Sequence, residues 1–190
     1  RDKLYKKSYD TLNDFNLHST TYNAFGEENI TALEAINVII DEKYILKSKI
    51  IGKKIKNELK ILKLNFPYLI DEIRGIGALQ GIKLNTKSLI LKKISNLIPI
   101  PELNKIRFIE KLCYASIVNH MYNEHKILTA FSLNKDICLW ASPSLITTDK
   151  EIDLFFTALK KTLDTGLNTL VYKLVSSKIN SFLKKSIVSK

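Results

Sequence analysis

The chain has 190 residues, of which 45% are hydrophobic and 26% charged, with a formal net charge of +11. This length suffices for one sizeable core or two small ones, and no apolar run approaches the ~20 residues that a membrane-spanning helix needs. Two cysteines, Cys113 and Cys138, suit a reducing compartment such as the cytoplasm better than a disulfide framework. The chain starts at Arg1 with no charged-then-apolar leader, which favours a fragment or a processed piece.

The excess of positive charge does not by itself indicate nucleic-acid binding. Only Arg1, Arg74 and Arg107 among the 30 basic residues are arginines, whereas readers of phosphates and bases rely on the planar guanidinium. The lysines alternate with Ile, Asn and Leu along predicted helical faces, and no known DNA- or RNA-binding signature is present. A solvated basic surface is the better interpretation. We therefore expect neither nucleic acid nor a membrane as a partner.

A hydroxyl-rich turn, His18 to Tyr22, precedes a strongly apolar helix predicted over residues 30–40. Hydroxyls at such an entry either cap the helix or help to bind an anion, because unpaired backbone N–H groups and the helix dipole favour negative charge there. The helix is apolar around most of its circumference, which predicts burial against other protein. We expect that protein to lie outside this chain.

The remaining elements follow from hydrophobic periodicity and from helix and turn signals. A second helix is predicted to about Lys63, a strand over 72–84, a helix over 101–124, two strands over 127–133 and 137–142, a helix between the capping box Thr148–Glu151 and Gly166, and a last amphipathic helix over 167–187. Glycines 75, 77 and 81 have the spacing GxGxxxG, which is not a dinucleotide fingerprint; they predict a bulge or a close backbone approach. Residues 85–100 are predicted to be an irregular insertion.

This order of elements predicts an α/β fold, or α+β small domain, in which a small mixed sheet is covered by helices. No His, Cys or Glu cluster has metal-ligand spacing. His120 and His125 are five residues apart on a predicted helix, so they are expected to point about 140° away from each other and not to share a metal.

Four stretches in the same order carry a resemblance to a known family. They are Tyr9–Tyr22, with the turn His-Ser-Thr-Thr-Tyr; Ala32–Ile40; Ile73–Ile82, with Arg-Gly-Ile-Gly-Ala-Leu; and Ala141–Asp153, with Ala-Ser-Pro-Ser-Leu-Ile-Thr. Over residues 1–165 the chain resembles the C-terminal part of the class III (ornithine/putrescine-type) aminotransferases, which are fold-type-I enzymes that use pyridoxal 5'-phosphate. The resemblance implies a C-terminal portion of a fold-type-I transferase.

The resemblance also implies roles for individual residues. Thr21, with Thr20 as a weaker neighbour, corresponds to the family's threonine that contacts the cofactor phosphate held by the neighbouring subunit of a dimer. Arg74 stands at a family-typical arginine whose role is structural, through a bond to backbone or to a carboxylate. The family's Schiff-base lysine lies before the His18-like turn; Lys3, Lys6 and Lys7 are too close to that turn to replace it, so no catalytic residue is assigned in this chain.

Two departures from the family pattern bear on the substrate. The loop after the turn is Asn23-Ala24-Phe25-Gly26 rather than Gly-Gly-Asn-Pro. Trp140 stands where many members place an arginine for the substrate α-carboxylate, and tryptophan cannot pair with a carboxylate. The resemblance therefore implies an amine, aldehyde, keto or carrier-tethered substrate near Trp140. A strand aromatic packed in the core is the alternative interpretation of this residue.

The resemblance divides the chain into residues 1–45, the end of the large cofactor-binding domain and a linking helix; 46–166, the C-terminal small domain; and 167–190, an extra amphipathic helix. It implies transfer of an amino group to an aldehyde or keto substrate by a homodimer, or by this chain together with the remainder of the enzyme; this fragment alone is expected to be inactive. The alternative hypothesis is a non-catalytic, aminotransferase-like interaction or dimerisation module. Nucleic-acid binding, suggested by charge alone, is the weakest hypothesis.

Overall fold

A computed structural model describes residues 26–86, 102–134 and 136–188, together with Lys3 and Lys6; at 102–106 and 180–188 the description covers the backbone alone. The elements, in chain order, are α1 (Gly26–Asp41), α2 (Tyr44–Asn65), β1 (Ile70–Ile76), β2 (Leu79–Leu84), α3 (Glu102–His125), β3 (Leu139–Ala141), α4 (Asp149–Asp164) and α5 (Leu167–Val188). The insertion predicted over 85–100 lies outside the described residues from position 87 onward.

The chain divides into two compact units, residues 1–45 and residues 46–190. In the first unit, α1 confirms the helix predicted over 30–40 and begins four residues earlier, with Glu27 and Glu28 in its first turn, where the helix dipole favours negative charge. None of its residues is buried. Its exposed large apolar side chains are Ile30, Leu33, Ile36, Val38, Ile39 and Ile40.

Among the described residues of the second unit, the sheet has three antiparallel strands in the order β1-β2-β3. The prediction of one continuous strand over 72–84 is wrong, because the chain reverses at Gly77–Ala78 and Ile76 pairs with Leu79 in a hairpin. Gly77 has a φ of 53°, in the left-handed region that glycine adopts without strain. The backbone N–H of Ala78 donates to the hydroxyl of Ser48, at 3.1 Å, which connects this turn to α2.

A second glycine, Gly52 on α2, lies against the same turn. A Cβ atom at position 52 would clash with the carbonyl oxygen of Gly77. Glycine inside a helix costs about 1 kcal/mol relative to alanine, and this close contact of two backbones accounts for its presence here. The close approach predicted for the strand glycines is confirmed at Gly81, where a Cβ atom would lie 2.9 Å from the carbonyl oxygen of Leu139.

The strand pair predicted over 127–133 and 137–142 is shorter in the structure than in the prediction. Of the described residues in these two segments, Leu139–Ala141 alone form a strand, which pairs with β2 through Gly81 and Trp140. On its other side, Leu139 forms an isolated bridge with Phe131.

Apolar side chains from all three strands and from α2, α3, α4 and α5 form one core. Its fully buried members include Ile55, Leu59, Ile70, Ile82, Cys113, Ile117, Met121, Leu139, Leu159 and Leu170. Helix α3 packs against both α4 and α5. The predicted fold class, an α/β fold with a small sheet covered by helices, is confirmed. The sequence predicts a mixed sheet, whereas all described strand pairs are antiparallel, because the β1–β2 hairpin reverses the chain and the connection through α3 returns β3 alongside β2 in the opposite direction.

The start of α4 and the break before α5 also match the sequence. Thr148 and Glu151 form the reciprocal hydrogen bonds of a capping box, and Gly166, with a φ of 81°, separates α4 from α5. Within the described residues, no helix combines the length and the apolar character that a membrane span requires.

Candidate functional site

The structure describes some of the predicted site residues and not others. Thr20 and Thr21, the predicted phosphate contacts, lie outside the described residues, as does Lys7. Trp140, the predicted substrate contact, is the middle residue of β3. Of the predicted site residues, Trp140 is therefore the one whose surroundings the structure describes.

The strand geometry directs Trp140 away from the core. Its neighbours Leu139 and Ala141 are 1% and 5% exposed, whereas Trp140 is 44% exposed, as expected for side chains that alternate across a strand. Its backbone N–H donates to the carbonyl oxygen of Ala130, at 2.8 Å. The hydroxyl of Thr129 donates to the carbonyl oxygen of Trp140, also at 2.8 Å. Both bonds come from the segment before β3, while β2 pairs with the other side of the strand at Gly81. The backbone of Trp140 is thus fixed while its indole ring stays accessible.

Trp140 lines a cavity of about 510 Å³ in the second unit. The walls come from α2, from the segment before β3, from β3 and the residues after it, and from the first two turns of α4. The lining residues are Ile55, Ile127, Leu128, Thr129, Ala130, Trp140, Ala141, Ser142, Pro143, Thr147, Glu151, Ile152, Phe155 and Phe156. This size and apolar character are typical of small-molecule sites.

Glu151 is the one charged side chain among the described residues that line the cavity. The backbone N–H and the hydroxyl of Thr148 both donate to its Oε2 atom, each at 2.7 Å. These hydrogen bonds, the backbone one first, lower the pKa of the Glu151 carboxyl. The cavity therefore carries a negative charge at neutral pH, despite the net positive charge of the chain.

A lysine on α2 forms ion pairs with two carboxylates near the start of α4. Lys54 on α2 lies 2.8 Å from a carboxylate oxygen of Asp153 and 3.2 Å from one of Asp149. Its bond to Asp153 is the main cause that raises the pKa of Lys54. Lys54 thus joins α2 to α4 outside the cavity lining, next to the apolar wall that Ile55 contributes.

Arg74 has carboxylate partners, as the sequence predicts, but it does not line the cavity. Its guanidinium lies 2.7 Å from Glu72 and 3.5 Å from Asp136, and Lys83 lies 3.4 Å from Asp136. The hydrogen bond from Arg74 lowers the pKa of Glu72, and that from Lys83 lowers the pKa of Asp136. These contacts tie the β1–β2 hairpin to the loop before β3.

The prediction that His120 and His125 point away from each other is wrong. Their ring centroids are 5.7 Å apart. The 140° angle describes the Cβ directions of an ideal helix, whereas imidazole rings extend beyond Cβ and can turn toward each other around χ1. His120 Nδ1 also lies 3.2 Å from the hydroxyl of Thr162 on α4. Across the described residues, no group of three or more His, Cys, Asp or Glu side chains could hold a metal ion.

The cavity is a feature that local sequence patterns do not predict. Its walls are contributed by residues up to about a hundred positions apart in the chain, from Ile55 to Phe156. The available sequence signals were the capping box, which places Glu151 at the start of α4, and the tryptophan next to Ala-Ser-Pro. Neither signal indicates that the two side chains share one cavity.

Comparison with known proteins gives a consistent result. No protein-family model matches the chain. Over 72 residues, or 38% of its length, the chain is 31% identical to mitochondrial ornithine aminotransferase of Arabidopsis thaliana, of which this segment makes up 15%. The chain therefore spans only a small part of that relative.

Solved structures extend the likeness to most of the chain. A transaminase from the marine bacterium Virgibacillus matches with a TM-score of 0.61 and 18% identity, over 91% of this chain and 34% of that one. An aminotransferase from Bacillus anthracis matches with a TM-score of 0.58 and 22% identity, over 86% of this chain and 34% of that one. The chain has the fold of part of an aminotransferase. Its sequence is similar to part of an ornithine aminotransferase, so the resemblance predicted from the sequence is confirmed.

Proposed function

We propose that the chain is the C-terminal part of a class III, pyridoxal-phosphate-dependent aminotransferase that acts as a dimer. In this proposal the complete enzyme transfers an amino group to an aldehyde or keto substrate, in a reducing compartment such as the cytoplasm. The observation that carries it is the similarity to ornithine aminotransferase, together with an aminotransferase fold over most of the chain.

The proposal includes a domain organisation for the chain. Residues 1–45 close the large cofactor-binding domain and link it to a small domain over 46–166, followed by an extra helix over 167–190. The separation of the chain into units 1–45 and 46–190 supports the first boundary. The exposed apolar side chains of α1 support the view that it packs against protein supplied by the rest of the enzyme.

The cavity beside Trp140 does not fit the cofactor. A phosphate dianion is best held by cationic side chains or by free N–H groups at a helix start. The described lining has no lysine or arginine, and at the start of α4 the N–H groups of Thr148 and Glu151 are already engaged in the capping box. We therefore place the cofactor outside this cavity. In the proposal, Thr21 and Thr20 of one chain contact its phosphate across the dimer, and the lysine that binds it comes from the rest of the enzyme.

Trp140 is proposed to contact the substrate. Its exposed indole ring and the apolar cavity support this role. The absence of a cation from the described lining favours an amine or an aldehyde over an α-amino acid held by its carboxylate.

Reconstitution of the enzyme tests the proposal. The chain, extended upstream by the missing portion, is expected to retain pyridoxal phosphate with the absorbance band of a lysine-bound cofactor. Thr21→Ala is expected to weaken cofactor retention, whereas Thr21→Ser, which keeps the hydroxyl, is expected to preserve it. A reconstituted protein that binds its partner chain but never acquires the band would contradict the proposal and would favour a non-catalytic interaction module.

A further inference from the structure

Helix α5 packs into the core of the second unit only in its first half. Its buried side chains are Leu167, Leu170, Val171 and Leu174. The described side chains from Val175 to Ile179 are not buried, although the helix continues to Val188. An isolated helix of about 14 residues is marginal in water. The second half of α5 would therefore be stabilised by a surface that covers it.

An apolar stripe is exposed on α5. Its described members are Tyr172, Val175 and Ile179. Their spacing of three and four residues places their Cα–Cβ bonds within about 60° of one another on an ideal helix, roughly 120° from the centre of the buried face. Contact with an apolar layer would remove these side chains from water and leave the packing of α5 against α3 undisturbed.

The charge of the same segment is entirely positive. After Asp164 the chain has five lysines and no Asp or Glu. Lys173 and Lys178 are exposed, and on an ideal helix they lie on either side of the stripe, roughly 130° and 90° from its centre. This arrangement differs from that of Lys54 on α2, which forms ion pairs with two carboxylates of α4. The lysines of α5 therefore suit an anionic partner outside the chain.

We propose that the second half of α5 lies in the plane of an anionic lipid surface, with the stripe among the headgroups and the lysines beside the phosphates. A helix with lysines on its polar face and apolar side chains on the other binds such an interface, and the long lysine stem lets the ammonium group reach a headgroup. Residues 166–190 lie beyond the stretch that resembles aminotransferases, so the inference does not depend on the proposed function.

The proposal revises the expectation of no membrane partner for this helix alone. That expectation follows from the dispersed lysines of the whole chain and from the lack of an apolar run long enough to span a bilayer. A helix that lies in the interface requires neither a chain-wide basic patch nor a spanning run.

Lipid fits this surface better than an acidic protein does. A specific protein interface involves about 20–30 residues on each side, whereas the described stripe consists of Tyr172, Val175 and Ile179. A lipid surface needs no matching groove, because headgroups and acyl chains rearrange around a helix. Tyr172 adds a ring with a polar tip, a combination that is enriched at membrane–water interfaces.

Vesicle flotation of the full 190-residue chain tests the proposal. Vesicles of phosphatidylcholine alone are compared with vesicles that contain about 30% phosphatidylserine, for which we expect about tenfold tighter binding. Raising the salt from about 0.15 M to about 0.5 M is expected to weaken this binding, because the charges are screened. Poly-glutamate, measured by calorimetry, represents an acidic polypeptide partner and is expected to bind more weakly than the anionic vesicles.

Two adjacent residues of α5 have matched counterparts on α2. Lys178 and Ile179 correspond to Lys60 and Ile61, and the two isoleucines are 54% and 51% exposed. Ile179→Asp is expected to weaken vesicle binding by about tenfold or more, and Lys178→Gln by about fivefold. Ile61→Asp and Lys60→Gln make the same changes of charge on another helix and are expected to leave the binding nearly unchanged.

Three results would overturn the proposal. Equal losses in the α5 and α2 variants would show that the net charge of the chain, and not α5, attracts it to the vesicles. Tighter binding to poly-glutamate than to anionic vesicles would favour an acidic protein partner, and no binding to anionic vesicles would leave α5 without a lipid role. Flotation needs no cofactor and no activity, so this inference and the proposed function can fail separately.

Discussion

The hydroxyl of Tyr114 accepts a hydrogen bond from the backbone N–H of Leu84, at 2.8 Å. The same hydroxyl donates to the carbonyl oxygen of Ile137, at 2.9 Å. Tyr114 is fully buried on α3, and burial raises the pKa of its phenol well above its usual range. The Tyr114 hydroxyl thus pairs with a backbone N–H at the end of β2 and with a backbone carbonyl just before β3. It thereby helps to position the strand that carries Trp140.

Replacing Tyr114 by phenylalanine is expected to destabilise the chain. The substitution removes one oxygen and leaves a backbone donor and a backbone acceptor without this partner, which costs about 1–3 kcal/mol for a buried group. Urea denaturation measures the loss in the free energy of unfolding. Tyr68→Phe, at a position that is 85% exposed, is the matched control and should have little effect. Equal stabilities of the two variants would contradict a structural role for the buried phenol.

Replacing Gly52 by alanine is expected to destabilise the chain, although alanine is ordinarily the better helix former by about 1 kcal/mol. The added Cβ atom would clash with the Gly77 carbonyl oxygen, so α2 and the β1–β2 turn would have to separate.

Gly166→Ala provides the contrast for Gly52. A Cβ atom there meets nothing within 4 Å, and only the φ of 81° opposes it, at a cost of about 1–2 kcal/mol for a left-handed residue. Thermal unfolding of both variants measures the difference. A larger loss for Gly166→Ala than for Gly52→Ala would show that the helix accommodates the extra methyl group.

Thr148→Ala is expected to lower the free energy of unfolding by about 1 kcal/mol, the usual cost of removing an N-cap side chain. The hydroxyl of Thr148 accepts a hydrogen bond from the backbone N–H of Glu151 and donates to its carboxylate. Thr148→Ser keeps both bonds and should retain most of the stability. Identical denaturation curves for the alanine variant and the original chain would indicate that α4 does not depend on this cap.

The burial of His120 leads us to expect that the free energy of unfolding falls as the pH is lowered. Burial lowers its pKa below the ordinary value of 6.5, an effect that Lys173 and His125 reinforce and Glu124 opposes. The unfolded chain therefore binds the proton at a higher pH than the folded chain does. The stabilisation that the neutral ring contributes is complete above pH 6.5 and is lost as the pH falls toward the folded pKa.

The measurement is urea denaturation of the original chain and of His120→Gln at pH 7.5 and pH 5.5. We expect the original chain to lose more stability over this interval than the variant. The interval lies above the ordinary pKa values of the carboxyl groups, so that the difference reports on the histidine. A variant that loses as much stability as the original chain would contradict this origin of the pH dependence.

The helices could be predicted because local signals determine them. The apolar stripe of α2, the capping box of α4 and Gly166 before α5 each act within a few residues and needed no tertiary context. The β1–β2 turn could not be predicted in the same way. Its flanking residues, Ile76 and Leu79, are apolar although they are 83% and 60% exposed, so the hydrophobic pattern continues through the turn without a polar interruption.

The candidate site could be predicted only in part. The resemblance implied Trp140 as a substrate contact, which stays a prediction, and the local sequence predicted a helix start at Thr148–Glu151, which is confirmed. The shared cavity depends on how β3 packs relative to α2 and α4. The rings of His120 and His125 present the same difficulty at a smaller scale, because ideal helical angles do not describe side-chain rotation. Local sequence periodicity does not determine long-range packing or side-chain rotamers.

The contact between Gly52 and Gly77 has a consequence for ligand selection. Ile55, one turn further along α2, forms part of the cavity wall, and close-packed interiors transmit strain from one contact to the next. A larger residue at Gly52 or Gly77, neither of which lines the cavity, is therefore expected to shift this wall and change the width of the cavity. Related chains could evolve a preference for larger or smaller ligands by changing these two residues alone, with every lining side chain preserved.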